Sequence, residues 1–277
     1  MSRKIRAIFA DYDGTLCPAA NLRSSDDGTS FIPSPLGETL WTLSGYIPVC
    51  IISSKDSHFL VNRAPFATVF SCIMGIETLV VKRRNNNDIL PEIEKRRLSI
   101  NRARLRENAR KLDSISQIVQ SEFPFVTAEK KRTSDDLLAG VTVDWRKKKD
   151  WDEPRDAIES YVRKIVSKYN NKSFRPVYLE TYSSHPFIDI YATKCDKGTG
   201  FKHVLSEIKM KGEGQIMYLG DSENDNPAFR LADIPIGIRS DPRLKPRLEC
   251  DFVLEQDMLA SFLQRLLRND LVFSEAL

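Results

Sequence analysis

The chain has 277 residues, of which 41% are hydrophobic, 29% charged and 9% aromatic. This is ordinary globular composition, and it excludes intrinsic disorder and a fibrous repeat. Forty-two Lys+Arg against thirty-eight Asp+Glu leave a net charge of +4, too small a surplus to indicate a nucleic-acid binder. No apolar run approaches the length of a membrane span. Cys17, Cys50, Cys72, Cys195 and Cys250 are odd in number and widely spaced and contain no Cys-x-x-Cys, so free thiols in a reducing cytoplasm are expected and a zinc site is not. The first residues lead straight into a strand-like run, which leaves no apolar stretch for a signal peptide.

In chain order, residues 5–10 are a short aliphatic run ending abruptly at Asp11. Residues 36–43 have the pattern of a short helix, and 48–52 form a second apolar run ending at Ser53. Far downstream, a helix is expected over 201–208, where Phe201, Val204, Leu205 and Ile208 recur at helical spacing. A third strand, 215–219, ends at Gly220-Asp221; a helix over 227–232 and a strand over 235–238 follow. Continuous apolar runs alternating with helices predict an α/β fold, a doubly wound Rossmann-like parallel sheet. Ligands of such sheets bind beyond the carboxyl ends of the strands, where these polar residues fall.

The middle of the chain reads differently. Residues 91–123 look like one long helix or two in succession. A strand at 137–146 and a helix at 153–169 follow, then a hairpin of 177–182 with 187–192 about Ser183-Ser184-His185-Pro186. This order predicts a smaller α+β domain, residues 83–190, inserted into a core formed by 1–82 and 191–277. Asn85-Asn86-Asn87 is the expected linker into it. Residues 82–113 carry eleven Lys/Arg against five Asp/Glu. Attraction of an acidic partner is one reading; the favoured one is a solvated helix surface with pairs such as Glu92–Arg96.

Asp11-Tyr12-Asp13-Gly14-Thr15 is the most informative stretch. Two carboxylates two residues apart just past a buried strand can reach one pocket, with Gly14 permitting the sharp turn that follows. One aspartate can attack phosphorus; the other can protonate the leaving oxygen and then activate water. Gly220-Asp221-Ser222-Glu223-Asn224-Asp225 crowds hard oxygen ligands at another strand end, which suits Mg²⁺. Asp221 is placed to join Asp11 on the metal, with Asp225 orienting Asn224 or a water; helix capping by Asp221 or Ser222 is the plainer alternative. Ser53-Ser54 at the end of the second run offers a hydroxyl and backbone N–H groups to a phosphate, and Lys197 offers a cation.

Taken in order, Asp11/Asp13, Ser53, Lys197 and Asp221/Asp225 resemble the four motifs of the haloacid dehalogenase superfamily of phosphotransferases. The resemblance implies Asp11 as nucleophile and Asp13 as acid/base and metal ligand. It also implies Ser53, Ser54 and Lys197 on the phosphate, and Asp221 and Asp225 at Mg²⁺ with Asn224 in support. Asp13, absent from the dehalogenase branch, points to phosphoryl transfer. The size of the insertion resembles the α/β cap of the sugar-phosphatase branches.

Within these branches the chain is most similar to trehalose-6-phosphate phosphatases, through residues 11–18, Gly75-Ile76-Glu77, residues 127–131 and Val143-Asp144-Trp145-Arg146. It departs from them at Asp144 and Lys55. In such a cap Glu129 could accept hydrogen bonds from sugar hydroxyls, and Lys131 and Arg146 could donate to hydroxyls or a second anionic group of a phosphorylated sugar; an exposed, salt-bridged strand position is the equally weighted alternative for each. Sucrose-phosphate and mannosyl-phosphoglycerate phosphatases, a sugar phosphomutase, and a non-enzymatic binding protein using the basic 82–113 segment are the alternatives.

Overall fold

The computed structural model describes residues 3–18, 31–82, 92–171, 173–182, 185–209, 213–240 and 245–274. The expected linker Asn85-Asn86-Asn87 and Ser183-Ser184 of the expected hairpin turn lie outside the described residues. The chain divides into two units, Met1–Arg97 with Asp196–Leu277, and Leu98–Cys195. Each is described by itself.

The first unit is built on one large sheet. Parallel strands β1 (Arg3–Ala10), β2 (Val49–Ile52) and β3 (Val69–Cys72) run to one side, and β10 (Gln215–Gly220), β11 (Ile234–Arg239) and β12 (Phe252–Glu255) to the other. β4 (Glu77–Val81) pairs antiparallel with β3, and β5 (Ile93–Leu98) lies beyond it at the edge. β2 and β3 are buried along their whole lengths, as continuous Val/Ile/Phe/Cys runs require. Phe201 packs edge-on to Phe9, their ring centroids 4.8 Å apart, and Tyr218 meets Phe229 in the same way at 5.3 Å. The first contact seats helix α5 (Lys197–Glu207) on the sheet, and the second seats the short helix Asn226–Phe229. The strand order reverses between β1 and β10, which places the carboxyl ends of those two strands at the topological switch point.

The expectation of a helix starting at residue 91 is corrected. Residues 93–98 form β5, and helix α3 begins only at Arg102 and runs to Glu122. Ser99 and Ile100 break the run, and Asn101 caps the new helix by accepting the Ala103 N–H at 2.8 Å. Glu and Arg in this segment suggested a helix, yet tertiary pairing at the sheet edge outweighed propensity. The Glu92–Arg96 helical pair is absent: Glu92 pairs with Lys82, and Arg96 with Glu77. Because β5 joins the large sheet, the first crossing between units comes at 97/98, later than the expected 82/83. The return comes at 195/196 and not at 190/191, since β9 runs to Tyr191 in the inserted sheet.

In the second unit, β6 (Thr127–Arg132), β7 (Leu138–Asp144), β9 (Phe187–Tyr191) and β8 (Tyr178–Thr181) form an antiparallel sheet in that spatial order. Val141, Val143, Ile188 and Ile190 alternate onto one buried face. Helix α3 packs against β7 and against helix α4 (Arg155–Asn170). The opposite face is polar. Asp189 on β9 accepts hydrogen bonds from Lys131 Nζ at 3.0 Å, Tyr182 at 3.0 Å and Tyr191 at 2.8 Å, and from Thr142. Trp145 is fully buried, its indole N–H donated to the Trp151 carbonyl at 2.9 Å, so it packs and does not present a face for stacking.

Candidate active site

The site grows from the register of two neighbouring strands. Ala10 lies opposite Leu219, so the next residues, Asp11 and Asp221 beyond Gly220, leave the sheet side by side. The Asp11 N–H still donates to the Leu219 carbonyl at 2.9 Å, holding its backbone in the ladder while its side chain enters the crevice. The chain then turns: the N–H groups of Leu16 and Cys17 donate to the Tyr12 carbonyl, and Gly14 adopts φ +80°. A Cβ on Gly14 would lie 2.0 Å from Oδ2 of Asp221. That close approach is the physical reason for glycine in the first motif.

Three carboxylates, Asp11, Asp221 and Asp225, each place an oxygen within 4.8 Å of the others. They are not equivalent. Asp225 is fully buried, and both its oxygens are filled. Oδ1 accepts from Lys197 Nζ and from the Tyr218 hydroxyl, each at 2.6 Å. Oδ2 accepts from the Asp221 and Ser222 N–H groups at 3.1 Å and from the Ser222 hydroxyl at 3.2 Å. Ser222 and Asp225 thereby form a capping box on the turn that displays Asp221. Asp225 therefore anchors Lys197 and the 221–222 turn; it does not bond Asn224, whose Oδ1, 2.9 Å from the Ser222 hydroxyl, shares that one donor with Asp225.

Lys197 opens α5, behind an Asp196 cap that accepts the Thr199 N–H at 2.6 Å. Its ammonium, 1% exposed, lies 3.0 Å from Asp11 Oδ1. Burial opposes that charge, but Asp11 and Asp225 more than offset it and hold Lys197 protonated above the ordinary lysine range. Burial pushes Asp11 up to about 7; Lys197 opposes this, while Asp225 and Asp13 add repulsion. Asp221 is raised well above the carboxylate range by desolvation and then by Asp11 and Asp225. Carboxylates held so close against mutual repulsion are suited to a divalent cation, which takes hard oxygen ligands. Asp11 and Asp221 have the donor chemistry for it, with Asp225 behind them.

Asp13 lies outside that cluster of three. Its Oδ2 is 3.7 Å from Lys55 Nζ, and its Oδ1 is buried with no hydrogen-bond partner among the described residues. Ser53 is 1% exposed, with Oγ accepting the Lys55 N–H at 3.2 Å, and Ser54 is half-buried beside it. In the second unit, Glu129 faces Thr142 across β6 and β7. Lys131 is 2% exposed and ion-paired to Asp189, and Arg146 Nε donates to Asp144 Oδ2 at 2.5 Å with its guanidinium 5.5 Å from the Phe187 ring. Both cations thus have internal carboxylate partners. Sequence reasoning missed Tyr218 and Thr15, whose hydroxyl donates to Asp221 at 3.4 Å. Thr15 belongs to the first motif and carried a signal; a tyrosine inside a buried strand carried none.

Residues 143–249 match the haloacid dehalogenase-like hydrolase family. The fold is that of the haloacid dehalogenase-like hydrolases. The C-terminal domain of trehalose-6-phosphate phosphatase from C. albicans is similar at 16% identity and a TM-score of 0.68, over 95% of this chain and 92% of that one. A trehalose-6-phosphate phosphatase related protein gives 16% identity and a TM-score of 0.59, over 94% and 96% of the two chains. A subclass IIB sugar phosphatase of the superfamily gives 14% and 0.55, over 96% and 99%. No curated protein matches the chain. Among the described residues, no helix is long and apolar enough to cross a membrane.

Proposed function

We propose that the chain is a Mg²⁺-dependent phosphatase that hydrolyses a sugar phosphate monoester, with trehalose-6-phosphate the first substrate to test. The observation that carries this reading is Asp11, nearly buried, 3.0 Å from the Lys197 ammonium and beside Asp221. Asp11 is the nucleophile and forms an aspartyl-phosphate with release of the sugar alkoxide. Asp13, whose Oδ1 has no partner among the described residues, protonates that leaving oxygen and then takes a proton from the water that hydrolyses the acyl phosphate. Ser53, Ser54 and Lys197 bind the phosphoryl oxygens, and Lys197 limits their repulsion with the attacking carboxylate. Asp11 and Asp221 would hold Mg²⁺, which supplies positive charge against the phosphoryl group.

The fold shared with trehalose-6-phosphate phosphatases and a sugar phosphatase supports the substrate class. The rival binding-protein reading needs unpaired cations in the basic segment. Among the described residues, Lys82, Lys95, Arg96, Arg102 and Lys111 have acidic partners within the chain, which counts against that reading. The test is phosphate release from a panel of sugar phosphates with and without Mg²⁺, in the absence of any acceptor sugar. Turnover of a disaccharide phosphate supports the reading. No release from any ester, or release that is unchanged by chelation, overturns it.

A further inference from the structure

Three consecutive cations on β5, for which the proposed reaction has no task, are divided between α5 and Glu77, whose other partner lies beside the Ser53 loop. Lys95 Nζ donates to Glu207 Oε2 at 2.6 Å, and Arg97 to the Ser206 hydroxyl at 3.3 Å. Both acceptors lie at the end of α5, the helix that Lys197 opens. Arg96 points to the other face of the strand, as period-2 alternation demands, and donates to Glu77 Oε1 at 2.6 Å. Glu77 is fully buried, and its Oε2 accepts the Ser57 hydroxyl at 3.1 Å. Ser57 is the first residue of helix α2 (Ser57–Arg63), immediately after the loop of Ser53 and Ser54.

The same loop is fastened a second time. The Met74 N–H donates to the Ser53 carbonyl at 3.0 Å, and the Ile73 N–H to the Lys55 carbonyl at 2.9 Å. Ile73, Met74 and Gly75 all lie in the left-handed region, at φ 51°, 55° and 88°. A β-branched residue there is strained, and persists only where surrounding contacts over-determine the turn. Glu77 begins β4 just past that turn, and its bonds to Ser57 and Arg96 fix the chain where it leaves the turn. The exposed members of the triplet contribute little: the Lys95 side chain is 61% exposed, against 19% for Arg96 and none for Glu77.

We infer that Glu77 is a positioning residue for phosphate binding: held by Arg96, it fixes Ser57 and through it the loop carrying Ser53 and Ser54. This rests on the phosphatase reading. The loop's N–H and hydroxyl donors bind an oxyanion well only if they need not be ordered at the moment of binding.

The test uses Ser57→Ala and Arg96→Met beside the conservative Ser57→Thr and Arg96→Lys in the full chain. It reads orthophosphate affinity by calorimetry in Mg²⁺ buffer, KM and kcat on an aryl phosphate, and melting temperature. Ser57→Ala and Arg96→Met weaken orthophosphate and raise KM about three- to tenfold, the scale of one lost hydrogen bond, with kcat changed less. The conservative variants return to within about twofold of wild type. Wild-type affinity in Ser57→Ala, a fall in melting temperature alone, or no recovery in the conservative variants overturns the inference. If the wild type binds orthophosphate but hydrolyses no ester, the phosphatase reading fails while the binding series still scores Glu77. If it binds no orthophosphate, both fall.

Discussion

Oδ1 of Asp11 and the ammonium of Lys197 lie 3.0 Å apart, although 186 positions separate them in the chain. Lys197 is shared: its second carboxylate, Asp225 at 2.6 Å, has no free oxygen left. The ammonium is therefore fixed by Asp225 and points its remaining capacity at Asp11 and whatever Asp11 attacks.

Asp11→Asn removes the nucleophile and keeps the shape. Aryl-phosphate turnover in Mg²⁺ falls by about 10³-fold or more, while the circular dichroism spectrum stays that of wild type. Turnover within tenfold of wild type would remove Asp11 from its role.

Asp221→Asn separates the cost of the acidic cluster from its use. The folded-state pKa of Asp221 is raised by desolvation and by Asp11 and Asp225, so ionising it costs folding free energy as pH rises above the unfolded carboxylate value. At neutral pH, without divalent cation, the variant melts about 2–4 °C higher than wild type, the shift for roughly 1 kcal/mol in a unit of this size. Added Mg²⁺ raises the wild-type melting temperature and leaves the variant's nearly unchanged. A variant that melts lower in EDTA contradicts this account.

Gly14→Ala tests the crowding between the two motif loops. The added methyl would sit 2.0 Å from Asp221 Oδ2, at a φ of +80° that alanine disfavours. Calorimetry should show loss of Mg²⁺ binding, with turnover reduced at least as far. Unchanged Mg²⁺ affinity would mean that the 11–17 turn does not need this approach.

Lys131→Met tests the polar face of the inserted sheet. Burial alone would raise the pKa of Asp189, yet Lys131 and the surrounding hydroxyls outweigh it and hold the value below the ordinary one. The ionised carboxylate therefore stabilises the fold fully above about pH 4, and that contribution is lost as pH falls through the lower folded-state value. Removing the cation leaves a buried charge short of its partner, at a cost of about 3–5 kcal/mol. Hydrogen exchange over residues 98–195 should rise at neutral pH, and acid sensitivity should become shallower. Exchange equal to wild type would show that the pair is dispensable.

Several elements were legible because their information is local. The apolar runs ending at Asp11, Ser53 and Asp221 read as buried parallel strands, and the structure places strands there with those residues just past their ends. β3, β4 and β12 went unread: four or five residues bounded by no strong turn signal do not distinguish a strand from a loop. β5 was misread as helix because Glu, Lys, Arg and Leu favour helices, and only pairing at a sheet edge overrides that preference.

At the site, residue types at strand ends determined which groups could do chemistry: a paired Asp11 and Asp13, a serine, a lysine and a second acidic turn. What they do to one another was decided by the tertiary structure. Asp225, expected at the metal, is filled by Lys197, Tyr218 and the 221–222 turn. Lys131 and Arg146, readable either as substrate contacts or as salt-bridged strand residues, pair with Asp189 and Asp144. Pairing of this kind depends on distances across a sheet and on water removed by folding, neither of which is written in any short stretch of chain.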